Sequence, residues 1–158
     1  MKKHHSHIGD SVKIGPYKIL AGGTFYLTSV DLGRVDVIVP LTEKSVPFAF
    51  GAYYRVLACP MKDFGGVPPY WKEFLEGAVI PLLEEGTSVM AFCEGGHGRT
   101  GTFLASLIAL LESEEETPDP IQAVRERYCE NAVETIEQIE AIFALRGQDL
   151  SEKYRQKS

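Results

Sequence analysis

Residues 92–101 read Phe92-Cys93-Glu94-Gly95-Gly96-His97-Gly98-Arg99-Thr100-Gly101, at the point where one apolar run ends and another begins. The run before them, Ser88 to Phe92, has the length of a buried strand. The run after them, Arg99 to Leu111, is hydrophobic on nearly all sides of a helix, which is typical of a helix at the centre of a domain. The sequence therefore predicts a strand, a glycine-rich loop and a central helix in succession.

Further strands and helices alternate on both sides of this segment. Short strands are expected at Ile14 to Ala21 and Thr24 to Leu27, split by Gly22-Gly23, and buried strands at Val35 to Leu41 and Tyr54 to Cys59. Helices are expected over Pro68 to Glu85, kinked or ended by Pro81, and after Asp119-Pro120. A last helix is expected after the capping pair Asn131 and Glu134. This alternation predicts an α/β layer fold with a mainly parallel sheet.

The composition predicts one globular domain. The chain has 158 residues, of which 44% are hydrophobic and 24% charged, so it can bury a substantial core. We expect the domain to span residues 13–150, between polar, frayed tails at 1–12 and 151–158. No apolar run approaches the roughly 20 residues that cross a bilayer, and the N-terminus does not resemble a secretory signal. We therefore expect a cytoplasmic protein without a membrane partner.

Charge and cysteine content exclude other classes. The net charge of −6 and the acidic run from Glu112 to Glu116 do not match a nucleic-acid-binding surface. Three cysteines without a CxxC pair suit neither a disulfide scaffold nor a structural zinc site. We expect no metal, no cofactor and no nucleic acid, and no segment signals an oligomer, so a monomer is expected.

The glycine-rich loop has the composition of an anion site. Three glycines in five residues allow successive backbone amides to point inward, and the start of the following helix adds positive potential. We expect this potential to favour the thiolate of Cys93 at neutral pH. Arg99 offers a planar fork for two oxygens of an anion, and Thr100 offers a hydroxyl near the sulfur.

Other interpretations of the loop fit less well. A Walker-type loop requires a lysine that is absent, and a dinucleotide-binding loop requires a different glycine spacing and an acidic residue after the next strand. Cys93 could be a buried core cysteine, as we expect for Cys129, but that role explains neither the glycines nor Arg99.

Residues 93–100 resemble the Cys-x5-Arg-Ser/Thr signature of the cysteine-dependent protein tyrosine phosphatases, because Cys93 is followed by five residues and then by Arg99 and Thr100. The resemblance extends over roughly Gly33 to Phe143, and it is strongest to the small dual-specificity branch, particularly the kinase-associated phosphatase group. It implies a three-layer phosphatase fold, with a central mainly parallel sheet flanked by helices and the catalytic loop between a strand and a helix.

The resemblance also implies roles for individual residues. Cys93 is the expected nucleophile, with Arg99 and Thr100 as its catalytic partners. Asp63, in a segment resembling the family's acid loop, is the expected proton donor, although it could also be a solvated turn residue. The residues expected to bind the substrate's phosphate are Glu94, Gly95, Gly96, His97, Gly98 and Arg99.

Four positions leave alternatives open. Phe92 stands where the family usually has a histidine, which removes a supporting hydrogen-bond network. Gln138 lies near the family's water-positioning glutamine, but it could equally be an exposed helical residue. His97 faces either the pocket entrance or solvent. Cys59 could form a redox disulfide with Cys93, as in some relatives, or could be a small hydrophobe at a strand end.

The expected function is hydrolysis of phosphoproteins, on phosphotyrosine and also on phosphoserine or phosphothreonine, through a cysteinyl-phosphate intermediate. Two alternatives remain. The same mechanism could act on a small molecule, an RNA 5′-phosphate or a lipid phosphoester. Alternatively, the chain could be a pseudophosphatase that binds phosphate groups without cleaving them.

Overall fold

The computed structural model describes residues 8–23, 35–43 and 55–155. Its strands are β1 (Ile8–Ile14), β2 (Tyr17–Gly23), β3 (Val37–Pro40), β4 (Arg55–Val56) and β5 (Val89–Cys93). Its helices are α1 (Trp71–Phe74), α2 (Ile80–Glu84), α3 (Gly98–Leu111), α4 (Pro120–Arg127), α5 (Ile136–Ala144) and α6 (Glu152–Arg155). A π-helical segment, Leu75–Val79, joins α1 to α2.

The strands of the described residues form one sheet in the order β1-β2-β5-β3-β4. The β1 and β2 strands pair antiparallel, whereas β2, β5, β3 and β4 run parallel to one another. Helices flank this sheet, so the predicted α/β fold with a central mainly parallel sheet is confirmed.

The predicted strand, loop and central helix lie at the middle of the fold. Strand β5 has a parallel neighbour on each side, and all five of its residues are buried, as its continuous apolar sequence requires. Helix α3 is buried from Gly98 through Ala109. The loop between β5 and α3 is therefore anchored at both ends in the core.

The strand predicted at Ile14 to Ala21 contains the turn of a hairpin and extends past its predicted end. Gly15, with a φ of +56°, makes the turn between β1 and β2, whereas Gly22 and Gly23 lie inside β2. A Cβ on Gly23 would lie 2.7 Å from the carbonyl oxygen of Glu94, so this glycine allows the glycine-rich loop to approach β2 closely. The strand predicted at Thr24 to Leu27 lies outside the described residues.

Both predicted tails are shorter than expected where the structure describes them. Strand β1 already begins at Ile8, and Val12 is buried in the core. At the other end, α6 buries Tyr154, whose hydroxyl donates to Asp119 Oδ2 at 2.8 Å and whose ring packs on Phe143. A single aromatic side chain thus fixes a segment that its polar composition had assigned to the tail.

The strand predicted as buried from Tyr54 to Cys59 is a short edge strand. Only Arg55 and Val56 form β4, and both are exposed because no strand covers that edge among the described residues. Backbone pairing nevertheless continues beyond β4, since the amide of Cys59 donates to Pro40 O. Residues 57–59 therefore run along β3 as irregular backbone and lead towards Asp63.

The helices predicted within residues 68–85 and directly after Asp119-Pro120 are confirmed. Pro81 does not end the helix, because it lies in the first turn of α2, directly after the π-helical segment, and helical backbone continues to Glu84. Asp119 caps α4 by accepting from the amides of Ile121 and Gln122, both at 3.0 Å. Within the described residues, no helix is both long and apolar enough to cross a membrane.

Close backbone packing predicts that Gly96 cannot be replaced. Its φ is +80°, and a Cβ there would lie 2.9 Å from the backbone of Gly22 and Gly23. We expect Gly96→Ala to lose about 2 kcal/mol or more of unfolding free energy in urea titrations. The control is Gly77→Ala, since Gly77 has no atom within 4 Å of its added Cβ and its helical position favours alanine. Equal stability of the two variants would contradict the close approach of the loop to β2.

An ion pair between Glu112, the residue after α3, and Arg127, the last residue of α4, predicts a pH dependence of stability. Arg127 donates to both carboxylate oxygens of Glu112, at 2.7 and 2.9 Å, and Thr117 and the Gly15 amide donate as well. These bonds, Arg127 first, lower the pKa of Glu112 from 4.5 to about 2. Because the folded pKa is depressed, the stabilisation is present above the unfolded pKa and is lost as the pH falls towards 2.

We therefore expect Glu112→Gln to lose up to about 3 kcal/mol of stability at pH 7 and much less near pH 2. Thermal or urea unfolding across this pH range measures the difference. Glu115→Gln, which removes an exposed carboxylate three residues away, is the control. A loss that is the same at both pH values would show that the carboxylate is not held in its charged form.

Candidate active site

Cys93 ends β5 at the floor of a small pocket. Its side chain is nearly buried, with an exposed fraction of 3%. The hydroxyl of Thr100, in the first turn of α3, donates to Cys93 Sγ at 3.0 Å. The predicted pairing of this hydroxyl with the sulfur is therefore present.

Arg99 lies beside Cys93 with its guanidinium buried. It is 3% exposed, and its Nη1 donates to the carbonyl oxygen of Met61 at 3.0 Å. Its Nη2 lies 3.7 Å from Asp63 Oδ1 and 3.9 Å from Glu94 Oε1. Its Nε is buried and has no hydrogen-bond partner. A buried N–H of a charged group that lacks a hydrogen-bond partner favours binding of an anion that can accept a hydrogen bond from it.

Asp63 reaches the same pocket from the segment that follows Cys59. Its side chain is 55% exposed. The adjacent Phe64 has a φ of +57° and is 65% exposed, so an aromatic ring stands at the pocket mouth. The hydroxyl of Thr135 donates to Gly65 O at 3.3 Å, which ties this acid loop (residues 63–66) to the start of α5.

Gln138 is buried, so the interpretation as an exposed helical residue is wrong. Its side-chain Oε1 accepts from the backbone amides of Glu134 and Thr135, at 2.7 and 3.3 Å. The backbone amide of Gln138 donates to the Thr135 hydroxyl. Thr135 and Gln138 thus form the capping box of α5, which corrects the predicted pair Asn131 and Glu134. The predicted pair has the same spacing, but it lies four residues too early along the chain.

His97 precedes α3 and is partly buried, not a fully solvent-facing loop residue. It lines the pocket, and its Nδ1 lies 3.1 Å from the sulfur of Cys129. Cys129 is buried in the core, as predicted, but it also supports the loop through this contact. The hydroxyl of Tyr128 donates to the carbonyl oxygen of Gly96. Burial raises the pKa of Tyr128, which keeps that hydroxyl protonated as a donor.

The pocket brings most of the predicted residues together. It has a volume of about 150 Å³, and its lining comprises Asp63, Phe64, Cys93, Glu94, Gly95, His97, Gly98, Arg99 and Glu134. Thr100 and Gly96 are not part of this lining. Thr100 contacts the sulfur from α3, and Gly96 packs against β2.

The sequence interpretation did not identify Glu134 as a pocket residue. Its carboxylate lies against Gly98, where an added Cβ would clash with Glu134 Oε1. Nothing in the local sequence indicates this contact, because it joins residues 36 positions apart through the packing of α3 against the segment before α5. The same two segments also touch closely at Gly101, where an added Cβ would lie 2.6 Å from Ala132 Cβ.

Phe92 is fully buried, and its carbonyl accepts from the amide of Leu41 at 2.8 Å. Its side chain is therefore part of the core, and it has no hydrogen-bonding group to offer the loop. The Thr100 hydroxyl supplies a direct hydrogen bond to the sulfur in this chain.

Cys59 is buried, and burial raises the pKa of its thiol to about 11. Its amide donates to Pro40 O, and Pro40 pairs with Phe92. Cys59 and Cys93 are both free thiols in the structure, and the redox bridge between them stays a prediction.

Comparison with known proteins assigns a family to the chain. The family described as "Tc-R-P: Polymorphic toxin system, DSP-PTPase phosphatase" matches residues 26–112, which is 87 of the 158 residues. Two uncharacterized proteins of Methanocaldococcus jannaschii, MJECL20 and MJ0215, are 40% and 38% identical over 87 residues. These matches cover 55% of this chain and 56% and 52% of the relatives. The match therefore spans about half the length of each relative.

Solved structures share the fold along nearly the whole chain. The active form of Tk-PTP superposes with a TM-score of 0.68 at 22% identity, covering 94% of this chain and 99% of that one. Kinase associated phosphatase, with serine in place of its catalytic-site cysteine, gives 0.63 at 15% identity and coverage of 99% and 97%. PTPMT1 in complex with PI(5)P gives 0.64 at 15% identity and coverage of 94% and 100%.

At these identities the structures establish the fold, and the family match establishes the relationship. Both agree with the resemblance read from Cys93, Arg99 and Thr100. The chain belongs to the DSP-PTPase phosphatase family, within the cysteine-dependent, dual-specificity phosphatase-like superfamily.

Proposed function

We propose that this protein hydrolyses phosphoproteins, with phosphotyrosine as the preferred residue, through a cysteinyl-phosphate intermediate on Cys93. One observation carries the proposal. Cys93 Sγ accepts a hydrogen bond from Thr100 at the floor of a pocket that is also lined by Arg99, whose buried Nε has no partner. A nucleophile and an anion-binding donor thus share one small pocket.

The first step transfers the phosphoryl group to sulfur. The Cys93 thiolate attacks phosphorus in line, so that the S–P bond forms as the ester P–O bond breaks. Arg99 and the amides of residues 94–98 stabilise the charge on the equatorial oxygens. The leaving oxygen takes a proton from Asp63, whose carboxyl lies beside Arg99 and is open to solvent.

The second step releases phosphate. Asp63, now a carboxylate, removes a proton from a water molecule that attacks phosphorus, and the S–P bond breaks to return the thiolate. The hydrogen bond from Thr135 to Gly65 holds the acid loop near the pocket through both steps. No metal is required for this sequence of bond changes.

Phe64 supports phosphotyrosine as the preferred substrate. Its ring is exposed beside Asp63 at the mouth of the pocket, where it can pack against the ring of a tyrosyl phosphate. A serine or threonine phosphate would lack this contact, and we expect slower turnover of such substrates.

The alternatives draw less support from the described residues. A pseudophosphatase that binds phosphate without cleaving it needs an anion-binding residue such as Arg99 but neither a nucleophile nor a proton donor, yet Cys93 and Asp63 both line the pocket here. The similar PTPMT1 structure holds PI(5)P, but here three carboxylates line the pocket. These negative charges oppose a head group that carries several phosphates.

Changing the acid tests the mechanism. We expect Asp63→Asn to slow hydrolysis of phenyl phosphate by about 100-fold or more, and that of para-nitrophenyl phosphate far less, because only the poorer leaving group needs the proton. Initial rates on both esters measure the difference. Cys93→Ser should be inactive on both, since an alkoxide is much harder to form than a thiolate. Asp149→Asn, at an exposed site outside the pocket, is the control.

Two results would contradict the mechanism. Equal losses on the two esters would give Asp63 a structural role only. If Cys93→Ser keeps a tenth or more of the wild-type rate, corresponding to a loss of only about 1.4 kcal/mol, the nucleophile is another residue.

A further inference from the structure

The pocket that holds Cys93 is lined by more acidic side chains than basic ones. Asp63, Glu94 and Glu134 all line it, whereas Arg99 is its one permanently charged cation among the described residues. The buried, unpartnered Nε of Arg99 points independently to an anionic ligand in this pocket. A phosphate monoester would bring up to two further negative charges. A substrate that also carries a positive charge would relieve the repulsion at the rim.

Glu134 is held over the loop by a rigid segment. Arg125 donates to the carbonyl oxygens of Ala132 and Val133 at 2.9 and 2.8 Å. Val133 has a φ of +64°, which is rare for a β-branched residue and persists only when its surroundings enforce it. The Glu134 amide donates to Gln138 Oε1 at 2.7 Å. The backbone on both sides of the Glu134 side chain is therefore fixed.

The place of the Glu134 carboxylate follows from this backbone. It lies against Gly98, at the end of the loop that surrounds the Cys93 sulfur, and its residue is exposed to solvent. It thus stands in the lining of the pocket, at the end of the loop whose amides are proposed to hold the substrate's phosphate. A lysine or arginine next to the phosphorylated residue can bring its charged group to the Glu134 carboxylate.

Resting on the proposed function, we infer that Glu134 is a specificity-determining residue that selects phosphopeptides with a lysine or arginine next to the phosphorylated residue. The ammonium or guanidinium group pairs with the Glu134 carboxylate. The exposed ring of Phe64, at the same mouth, offers a second contact to that cation through its π face. Peptides with acidic neighbours are disfavoured by the same carboxylate.

The expected effect is modest because the rim is solvated. An exposed ion pair changes affinity by roughly twofold to fivefold, and a like charge opposes binding by a similar factor. Between a basic and an acidic neighbour, the wild-type preference in kcat/KM should therefore be about tenfold. It should appear mainly in KM, since the pair forms equally in the ground and transition states.

The test uses three phosphotyrosine peptides that differ only in the flanking residue, which is lysine, alanine or glutamate. Phosphate release gives kcat/KM for the wild type, Glu134→Gln and Glu134→Lys. The matched control is Glu140→Gln, which removes the same charge from an exposed position on α5 that does not line the pocket. Thermal unfolding shows that each variant is folded. A salt series on the wild type adds a readout that needs no substitution.

We expect the wild-type kcat/KM to be highest for the peptide with the flanking lysine, lower for alanine and lowest for glutamate. Glu134→Gln should reduce the lysine-to-glutamate ratio by at least about threefold, and Glu134→Lys should reverse the order. Glu140→Gln should leave the ratio unchanged, and high salt should reduce it in the wild type.

Three outcomes would overturn the inference. If the wild type cleaves all three peptides equally well, the inference fails while the proposed function stands. If the preference exists but is unchanged in Glu134→Gln, another rim residue determines it. If no peptide releases phosphate while para-nitrophenyl phosphate is hydrolysed, the phosphoprotein function itself fails, and this inference fails with it.

Discussion

The site depends on the close contact between the glycine-rich loop and the end of β2. Gly96, at a φ of +80°, brings its Cα against the backbone of Gly22 and Gly23, and Gly23 in turn faces the carbonyl of Glu94. Only residues without a Cβ permit two backbones to approach in this way. The contact fixes the curvature of the loop, and the loop's curvature determines where its amides point. The position of Cys93 alone, at the end of a buried strand, would not create an anion site.

Other segments complete the site from distant parts of the chain. The acid loop at residues 63–66 follows the edge strand, and the segment at 132–135 precedes α5. Both segments meet the glycine-rich loop at the pocket. Thr135 connects them, because its hydroxyl donates to Gly65 O and accepts from the amide of Gln138. Arg99 links the floor to the rim through Met61, Asp63 and Glu94. The proposed proton donor and the proposed specificity residue are thus held by one hydrogen-bonded arrangement.

Much of the fold and the centre of the site could be predicted from the sequence because they are local. The chain runs directly from a buried strand through a glycine-rich loop into an apolar helix. The local sequence alone therefore predicts that Cys93, Arg99 and Thr100 lie close together. The capping of α4 by Asp119 is local as well. The position of Asp63 could be expected only through the family resemblance, because 30 residues separate it from the loop.

The rest required tertiary contacts that no local pattern reveals. Local spacing favours a capping role for Glu134, whereas packing places its carboxylate over Gly98. Tyr154 was placed in a tail because its neighbours are polar, yet its burial against Phe143 depends on where α5 ends. Gly22 and Gly23 were interpreted as a strand break, which is the usual meaning of two glycines. Their use here, inside a strand facing another backbone, follows only from the three-dimensional approach of the loop.

The central claim is that Cys93 carries the phosphoryl group during turnover. The most direct measurement is to mix the enzyme with a phosphotyrosine peptide, quench with acid within the first turnover, and map the phosphate by peptide mass spectrometry. The account predicts one phosphoryl group on the peptide that contains Cys93, attached through sulfur and absent when the substrate is omitted. Phosphate released at the normal rate with no adduct on Cys93, or an adduct on another residue, would contradict it.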